Sequence, residues 1–408
     1  MKYINFIVGA VAWIPYFMPI VIEGNKRGIT SYFFLRQNPK AYANPLSSIH
    51  LGLINNIART YNIKVKDIKD VVNYPGLTFL MEADISGRSQ NDYATSGALL
   101  LNSTHVKVSF TFNADFIWQY GKYVKIVDYV VFPGKTYAEA YNKLSPKNLY
   151  LGSPKFDVPL NKDVIYKKYR LNHKSNYLLF FYPKQKWISS SAKIKNHYAQ
   201  MKYLVDQFRR MGFRIIIKSR EKDRVTQTMG DHYYEEKDLF PMSSLELLTI
   251  SKLAVFFSSA SIEECVMTNT PFIDFKVDHK FDRFAFLHHP SYSRIINNLA
   301  IPFDELSKHV AIITKNNQSA FDEAKAKHMF VDDHLSATLL DRFQKEADQK
   351  YDNAIKIYSQ IKELKKKHNE IEKKRNTNVD PILDKIDGID EEKPPEKKDK
   401  KDKKKKNK

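Results

Sequence analysis

Cysteine is nearly absent from this sequence, since Cys265 is the single one among 408 residues. One thiol excludes an internal disulfide, and it excludes a zinc site built from several cysteines of one chain. The Gly-x-x-x-x-Gly-Lys-Ser/Thr loop is missing, which argues against a P-loop nucleotidase, and Gly9 stands alone after the first predicted strand, which disfavours NAD binding. Neither a His-Glu-x-x-His helix nor an Asp-x-Asp pair occurs, so we predict metal-independent chemistry without a cofactor.

Acidic residues are outnumbered, with 66 Lys and Arg against 46 Asp and Glu, and the formal net charge is +20. Most of this excess lies ahead of residue 361, so the body of the protein is itself basic. A basic body favours anionic partners, such as a phosphorylated substrate or an anionic membrane surface. Few aromatic residues interleave with the C-terminal lysines, which argues against nucleic acid as a specific partner of the tail. We expect a cytoplasmic protein, with peripheral contact to an anionic membrane as one option.

Long apolar runs are few, and the one candidate for a membrane anchor or signal sequence is Phe6–Ile22. Pro15 and Pro19 interrupt this run, and it is short for crossing a bilayer. The alternative is a buried strand Tyr3–Val8, a loop and an apolar helix Tyr16–Gly24 that packs on a sheet. We favour the second interpretation.

Short apolar runs alternate with helical candidates along the chain, a pattern typical of parallel strands buried on both faces. In the first half the predicted strands are Tyr3–Val8, Ser31–Leu35, Leu77–Met81, Ala98–Leu101, Val106–Phe112 and Tyr129–Phe132. After the turn-rich joint near residues 150–175 the predicted strands are Tyr177–Tyr182, Arg214–Lys218, Leu253–Phe257 and Pro271–Phe275. Two successive α/β sets predict two Rossmann-like domains that face each other across a cleft.

The domain boundaries follow from these two sets. We assign residues 1–155 to an N-terminal acceptor domain and residues 156–320 to a C-terminal nucleotide-donor domain. Residues 321–375 are predicted to add C-terminal helices, including an amphipathic helix Phe343–Arg375. Residues 376–408 form a Lys-rich tail with too little apolar surface to offset its ordering entropy, so we predict that it is disordered.

The segment Ser258–Glu264 carries the clearest binding signal. The predicted strand before it ends in small hydroxyl residues, a helix begins at Ser261, and two glutamates occupy the first turn. Helix N-termini bind anions through free backbone N–H groups, and small residues let phosphates approach closely. Glu263 or Glu264 could accept hydrogen bonds from ribose or sugar hydroxyls. The alternative is a capping box, in which Ser261 and Glu264 only start the helix.

The segment Ser258–Glu264, followed by Thr270–Phe275, resembles the donor-binding segment of GT-B glycosyltransferases. The nearest families are the CDP-glycerol glycerophosphotransferases and the non-hydrolysing UDP-N-acetylglucosamine epimerases. In those families a serine-rich turn holds the nucleotide diphosphate, and a following glutamate holds ribose or sugar. The resemblance implies a donor site made of Ser258, Ser259, Ser261, Glu263 and Glu264. Similar segments follow in the same order at Tyr129–Lys135, Leu151–Asp157, Phe180–Lys184 and Ile215–Arg220.

Charged residues at predicted strand ends complete the candidate site. Lys218 and Arg220 stand where the resemblance places a basic strand end beside the phosphates. The His-Gly turn of the glycerophosphotransferases is replaced by Thr111–Phe116, which makes Asp115 the candidate base, with a helix N-cap as its alternative. Glu82 is a second candidate base. We assign Asp84, Lys135 and Lys184 to the acceptor or the cleft. Plain surface or loop positions are the alternative for the basic pair and for Glu82.

The sequence thus predicts transfer of a glycosyl or glycerophosphoryl group from a nucleotide-sugar or CDP-glycerol donor. The acceptor would be a surface glycan or a lipid-linked precursor, as in polysaccharide biosynthesis. One alternative is epimerisation of a UDP-sugar on the same fold, with Glu82, Asp84 and Asp115 as the acids. Another is a non-catalytic protein that binds nucleotides or other anions and carries a basic tail. The missing histidines favour that last alternative.

Overall fold

The computed structural model describes twelve stretches of the chain, and the statements below concern these stretches. They are residues 1–35, 46–81, 104–111, 124, 127–140, 142–183, 197–219, 224–234, 239–259, 261–276, 284–315 and 317–383. The described residues up to Asp352 form one unit, and those from Asn353 onward form a second. The predicted strand Ala98–Leu101 lies outside the described residues.

The first sheet contains seven described strands, which all pair in parallel in the order β3-β2-β1-β4-β5-β6-β7. The strands are β1 (Tyr3–Val8), β2 (Thr30–Leu35), β3 (Lys64–Asp67), β4 (Gly76–Met81), β5 (His105–Phe110), β6 (Tyr129–Phe132) and β7 (Asn148–Tyr150). Its helices are α1 (Ile14–Lys26), α2 (Ser48–Thr60) and α3 (Lys135–Ala140). Side chains of β1, β4 and β5 are almost wholly buried, as strands covered on both faces must be.

The apolar run at the start of the chain is part of this core. It forms β1 near the middle of the sheet and then α1, in which Phe17 packs on Phe6 at a ring distance of 5.2 Å. Pro15 lies in the first turn of α1, where a missing N–H removes no helical hydrogen bond. The predicted strand–loop–helix interpretation is confirmed. Among the described residues, no helix has both the length and the apolar character needed to cross a membrane.

The second sheet contains six described strands, again all parallel, in the order β10-β9-β8-β11-β12-β13. The strands are β8 (Tyr177–Phe181), β9 (Arg214–Lys218), β10 (His232–Tyr234), β11 (Leu253–Phe256), β12 (Phe272–Phe275) and β13 (Ser293–Ile296). The helices are α4 (Lys162–Tyr169), α5 (His197–Arg210), α6 (Arg224–Met229), α7 (Ser243–Ile250), α8 (Ile262–Thr268), α9 (Phe303–Ile313) and α10 (Gln318–His328). Both sheets therefore have the doubly wound order of Rossmann-like domains, and the predicted α/β class is confirmed.

After α10 the chain returns to the first sheet. The Phe330 N–H donates to the carbonyl of Pro133 at 2.8 Å. The backbones approach so closely there that a Cβ at Gly134 would collide with the carbonyl of His328. Further along, Leu339 and Phe343 pack in the same apolar cluster as Phe6 and Val106.

The last helix, α11 (Leu335–Leu383), is longer than the predicted helix Phe343–Arg375 at both ends. Its start is fixed by apolar side chains such as Leu335, Leu339 and Leu340, which are buried in the first unit. Its end includes residues 376–383, the first part of the segment predicted to be disordered. The rest of that tail, residues 384–408, lies outside the described residues.

A buried polar group within the first sheet gives the protein an acid-sensitive point. His105 lies beside Thr78, and His105 Nδ1 is 2.8 Å from the Thr78 hydroxyl. Burial lowers the pKa of His105 to about 4, and the nearby charges of Lys107 and Lys350 act in the same direction.

We therefore predict that the free energy of unfolding falls less steeply with decreasing pH in His105→Leu than in wild type. An unfolded histidine takes up a proton below about pH 6.5, whereas buried His105 resists it, so folding loses up to about 3 kcal/mol as the pH falls towards about 4. Urea unfolding of wild type and variant across this range measures the difference. Equal losses in both proteins would contradict the prediction.

Candidate functional site

Ligands of doubly wound sheets bind outside the carboxyl ends of the strands, where the strand order reverses. In the second sheet this switch point lies between β8 and β11. β11 ends at Phe256 and runs directly into Ser258 and Ser259, while β9, on the other side of β8, ends at Lys218. The predicted donor segment thus lies at the edge of the sheet where topology alone predicts a ligand.

Ser258 combines a strained backbone with an unsatisfied hydroxyl. Its φ of 54° is left-handed, a conformation that costs a residue with a Cβ about 1 kcal/mol. Its N–H donates to Asp274 Oδ1 at 2.7 Å, which fixes the turn to β12. Within the described residues, the buried Ser258 Oγ has no hydrogen-bond partner. Strain and an unpaired polar atom are features that concentrate at ligand sites.

The first turn of α8 is not a capping box. The Ser261 side chain makes no cap hydrogen bond, and the Ser261 N–H donates to the Ser259 hydroxyl oxygen at 3.2 Å. Glu263 and Glu264 are 6% and 5% exposed, so neither is a solvated residue at the start of a helix. The capping-box alternative is therefore wrong.

The Glu264 carboxyl group lies in the interior without full compensation. Burial raises the pKa of Glu264, and the charges of Lys155 and Lys218 together with a hydrogen bond to Ser244 only partly oppose this shift. Within the part of the chain that the structure describes, Glu264 Oε2 has no hydrogen-bond partner. Such an oxygen is a strong candidate to meet a ligand hydroxyl.

Lys218 is held on the same side of the sheet as Glu264. Lys218 Nζ donates to Ser243 Oγ at 2.6 Å, and Ser243 is the first residue of α7. The structure therefore brings together two predicted residues, Lys218 and Glu264, through the first turn of α7. Sequence reasoning missed Ser243 and Ser244, although two serines before an apolar helix repeat the pattern that singled out Ser258–Glu264.

Glu263 has a different role from its neighbour. Glu263 Oε2 accepts from Lys155 Nζ at 2.7 Å, and both side chains are buried. Lys155 lies in a short 3-10 turn, Pro154–Phe156, where the chain leaves the first sheet, and its ammonium lies 5.3 Å from the ring centre of Tyr16 on α1. Burial alone would lower the pKa of Lys155, but Glu263, Tyr16 and Glu264 outweigh it and the pKa is raised. The pair therefore joins α1, the crossover and α8.

The other predicted residues divide into two groups. Lys135 begins α3, is mostly exposed and pairs with Glu139 at 3.4 Å. Ser259 and Ser261 lie in the turn between β11 and α8. The remaining predicted residues lie outside the described residues: Glu82, Asp84, Asp115, Lys184 and Arg220. In the described stretches, no cluster of three or more His, Cys, Asp or Glu side chains could hold a metal ion.

Two doubly wound domains, joined by a crossover and closed by a helix that returns to the first domain, define the GT-B fold. Comparison with solved structures shows this fold directly. The chain is similar to the wall teichoic acid polymerase TagF, with a TM-score of 0.57 and 11% identity over 85% of this chain and 89% of that one. No protein-family model matches the sequence, and no curated protein matches it.

Two further solved structures have the same fold. A UDP-GlcNAc 2-epimerase from Neisseria meningitidis, bound to UDP-GlcNAc, aligns with a TM-score of 0.56 and 11% identity over 85% of this chain and 100% of that one. The MnaA protein of S. aureus, solved with UDP, aligns with a TM-score of 0.52 and 13% identity over 83% and 95% of the two chains. The predicted GT-B resemblance is confirmed at the level of the fold.

The buried ion pair yields a stability prediction. Lys155→Met leaves the Glu263 carboxylate buried without its cation, which we expect to cost about 3–5 kcal/mol of unfolding free energy. Adding Glu263→Gln removes the stranded charge and should restore a large part of the loss. Chemical unfolding of the single and double variants measures both effects.

Lys202 provides the matched control, because Lys202 Nζ lies at the same 2.7 Å from Asp206 but in an exposed pair. We expect Lys202→Met to cost less than about 1 kcal/mol. A Lys155→Met variant as stable as the Lys202→Met variant would refute the structural role of the buried pair.

Glu264 yields a prediction with the opposite pH dependence to that of His105. Because the folded state raises the pKa of Glu264, its contribution to stability is present at low pH and is lost as the pH rises. We expect Glu264→Gln to gain stability relative to wild type as the pH rises above about 4. Free energies of unfolding that change with pH in the same way in the two proteins would contradict the prediction. The carboxyl group would then ionise in the folded state at no cost.

Proposed function

We propose that the protein transfers a glycosyl or glycerophosphoryl group from a nucleotide-activated donor, and that the second domain binds the donor. One observation carries this proposal: the unsatisfied Ser258 hydroxyl and Glu264 carboxyl oxygen lie near the switch point of a Rossmann-like sheet, together with Lys218. Unpaired buried oxygens are costly in an isolated fold and become paired when a polar ligand binds.

Each of these groups suits one part of a nucleotide donor. A lysine ammonium at a strand end binds a diphosphate and stabilises the negative charge that builds up as the nucleotide departs. The Glu264 carboxyl group suits ribose or sugar hydroxyls, and the small Ser258–Ser259 turn lets phosphate oxygens approach the backbone. Glu263 is engaged by Lys155, so we assign the hydroxyl-binding role to Glu264 alone.

The first domain would hold the acceptor. We propose Asp115 or Glu82 as the base that deprotonates the acceptor hydroxyl, with Asp84, Lys135 and Lys184 as acceptor or cleft residues. Closure of the two domains, residues 1–155 and 156–320, would exclude water, so that the donor is transferred and not hydrolysed. A basic body suits a glycan or lipid-linked acceptor at an anionic membrane surface.

The similar structures support a nucleotide donor without selecting one. These structures were solved with UDP, with UDP-GlcNAc and, for a variant of TagF, with CDPG. A UDP-sugar and CDP-glycerol therefore remain the two donor classes of this proposal. Because one of these structures is a UDP-GlcNAc 2-epimerase, epimerisation of a UDP-sugar is the second candidate. Deuterium incorporation from solvent into a UDP-sugar without an acceptor would distinguish it from transfer.

Nucleotide binding is the direct test, with UDP and CDP titrated calorimetrically against the full chain. We expect Lys218→Met to weaken binding of the preferred nucleotide roughly 10- to 100-fold, because one charge-assisted hydrogen bond is lost. Lys252 is the control, because it is exposed and precedes β11. It therefore lies at the amino-terminal edge of the second sheet, opposite the carboxyl edge that holds Lys218. Lys252→Met should bind as wild type does.

Transfer itself is tested with a panel of radiolabelled nucleotide sugars and CDP-glycerol. Binding without turnover of any donor would favour the non-catalytic alternative. If neither nucleotide binds the folded wild-type protein and no donor is consumed, the proposed donor site is refuted.

A further inference from the structure

The second unit carries a stripe of four aliphatic side chains and one histidine that face solvent on α11. Its members are separated by four, three, four and three residues, and we call them the heptad stripe: Ile357, Ile361, Leu364, His368 and Ile371. The four aliphatic members are all exposed, and Leu364 is exposed to 65%. Four large aliphatic side chains in one line along a helix are an unusual surface for a monomer.

The spacing of the stripe is that of a coiled-coil seam. In heptad notation Ile361 and His368 occupy a positions, and Ile357, Leu364 and Ile371 occupy d positions. A strict a/d stripe is narrower than the apolar face of a helix that packs on a globular core. At the centre of the stripe, isoleucine at a (Ile361) with leucine at d (Leu364) favours two parallel strands, whereas the isoleucines at the outer d positions, Ile357 and Ile371, do not add to this preference.

The charges beside the stripe select a second copy of this chain in parallel. Lys367 occupies a g position and Glu372 the following e position, so two parallel copies place each lysine opposite the glutamate of the other copy. An antiparallel pair brings g positions opposite g positions, so Lys367 would face Gln360, Lys367 or Lys374 of the other copy, and none of these is acidic. The pattern is therefore self-complementary in one orientation.

A membrane surface fits the same helix less well. Helices that lie in the bilayer interface present a broad apolar face with Trp, Phe and Leu and a basic polar face. Residues 353–383 contain neither Trp nor Phe, and Glu372 lies directly beside the stripe. We infer that residues 357–371 form a parallel two-stranded coiled coil between two copies of this chain.

Sedimentation equilibrium of the full-length protein tests the inference over a roughly hundredfold range of concentration. We expect a reversible monomer–dimer equilibrium in wild type, and a monomer for Ile361→Asp, because a charge in the seam has no partner. Ile355→Asp is the control, since Ile355 and Ile361 are 44% and 43% exposed but only Ile361 belongs to the heptad stripe. Ile355→Asp should dimerise as wild type does.

Charge exchange and cross-linking test the orientation. Lys367→Glu should weaken the dimer, and adding Glu372→Lys should restore it, because the double exchange recreates the pairs. Ile371→Cys should form a disulfide-linked dimer on oxidation only in the parallel arrangement, and buried Cys265, the one native cysteine, gives little background.

A monomeric wild-type protein at all concentrations would overturn the inference. So would equal dissociation by Ile355→Asp and Ile361→Asp. Binding of wild type to vesicles of phosphatidylglycerol, lost in Ile361→Asp and without any dimer in solution, would assign the heptad stripe to a membrane.

Discussion

The buried ion pair of Lys155 and Glu263 is the constraint on which the geometry of the candidate site depends. It connects the crossover to the first turn of α8, and the ring of Tyr16 covers it from α1. Removing one partner of such a pair costs far more folding free energy than removing both, because a lone charge stays buried. The pair therefore holds the start of α8 in one position, and with it the neighbouring Glu264 and the turn at Ser258.

The sheet order explains why a ligand site is expected at this place. A parallel sheet leaves free space only where neighbouring connections turn to opposite faces, which in the second sheet is between β8 and β11. The chain places small hydroxyl residues and a lysine there, and hydrophobic residues within the strands. Fold and local composition therefore point to the same edge, which neither would establish alone.

The central strands could be predicted from the sequence and the edge strands could not. The interpretation found β1, β2, β4, β5 and β6 in the first sheet and β8, β9, β11 and β12 in the second. The four strands it missed, β3, β7, β10 and β13, are the two edges of each sheet. Edge strands are short and partly exposed, so they lack the continuous apolar run on which recognition depends.

The candidate site shows the same limit at the level of single residues. The turn at Ser258 could be predicted because strand, small residues and helix follow one another within ten positions of sequence. The different roles of Glu263 and Glu264 could not be predicted from the sequence, because they depend on Lys155, 108 residues earlier. Successive residues of an α-helix point in directions about 100° apart. Because Glu263 is paired with Lys155, Glu264 is left facing α7 and Lys218, where a bound hydroxyl can donate a hydrogen bond to its unpaired oxygen.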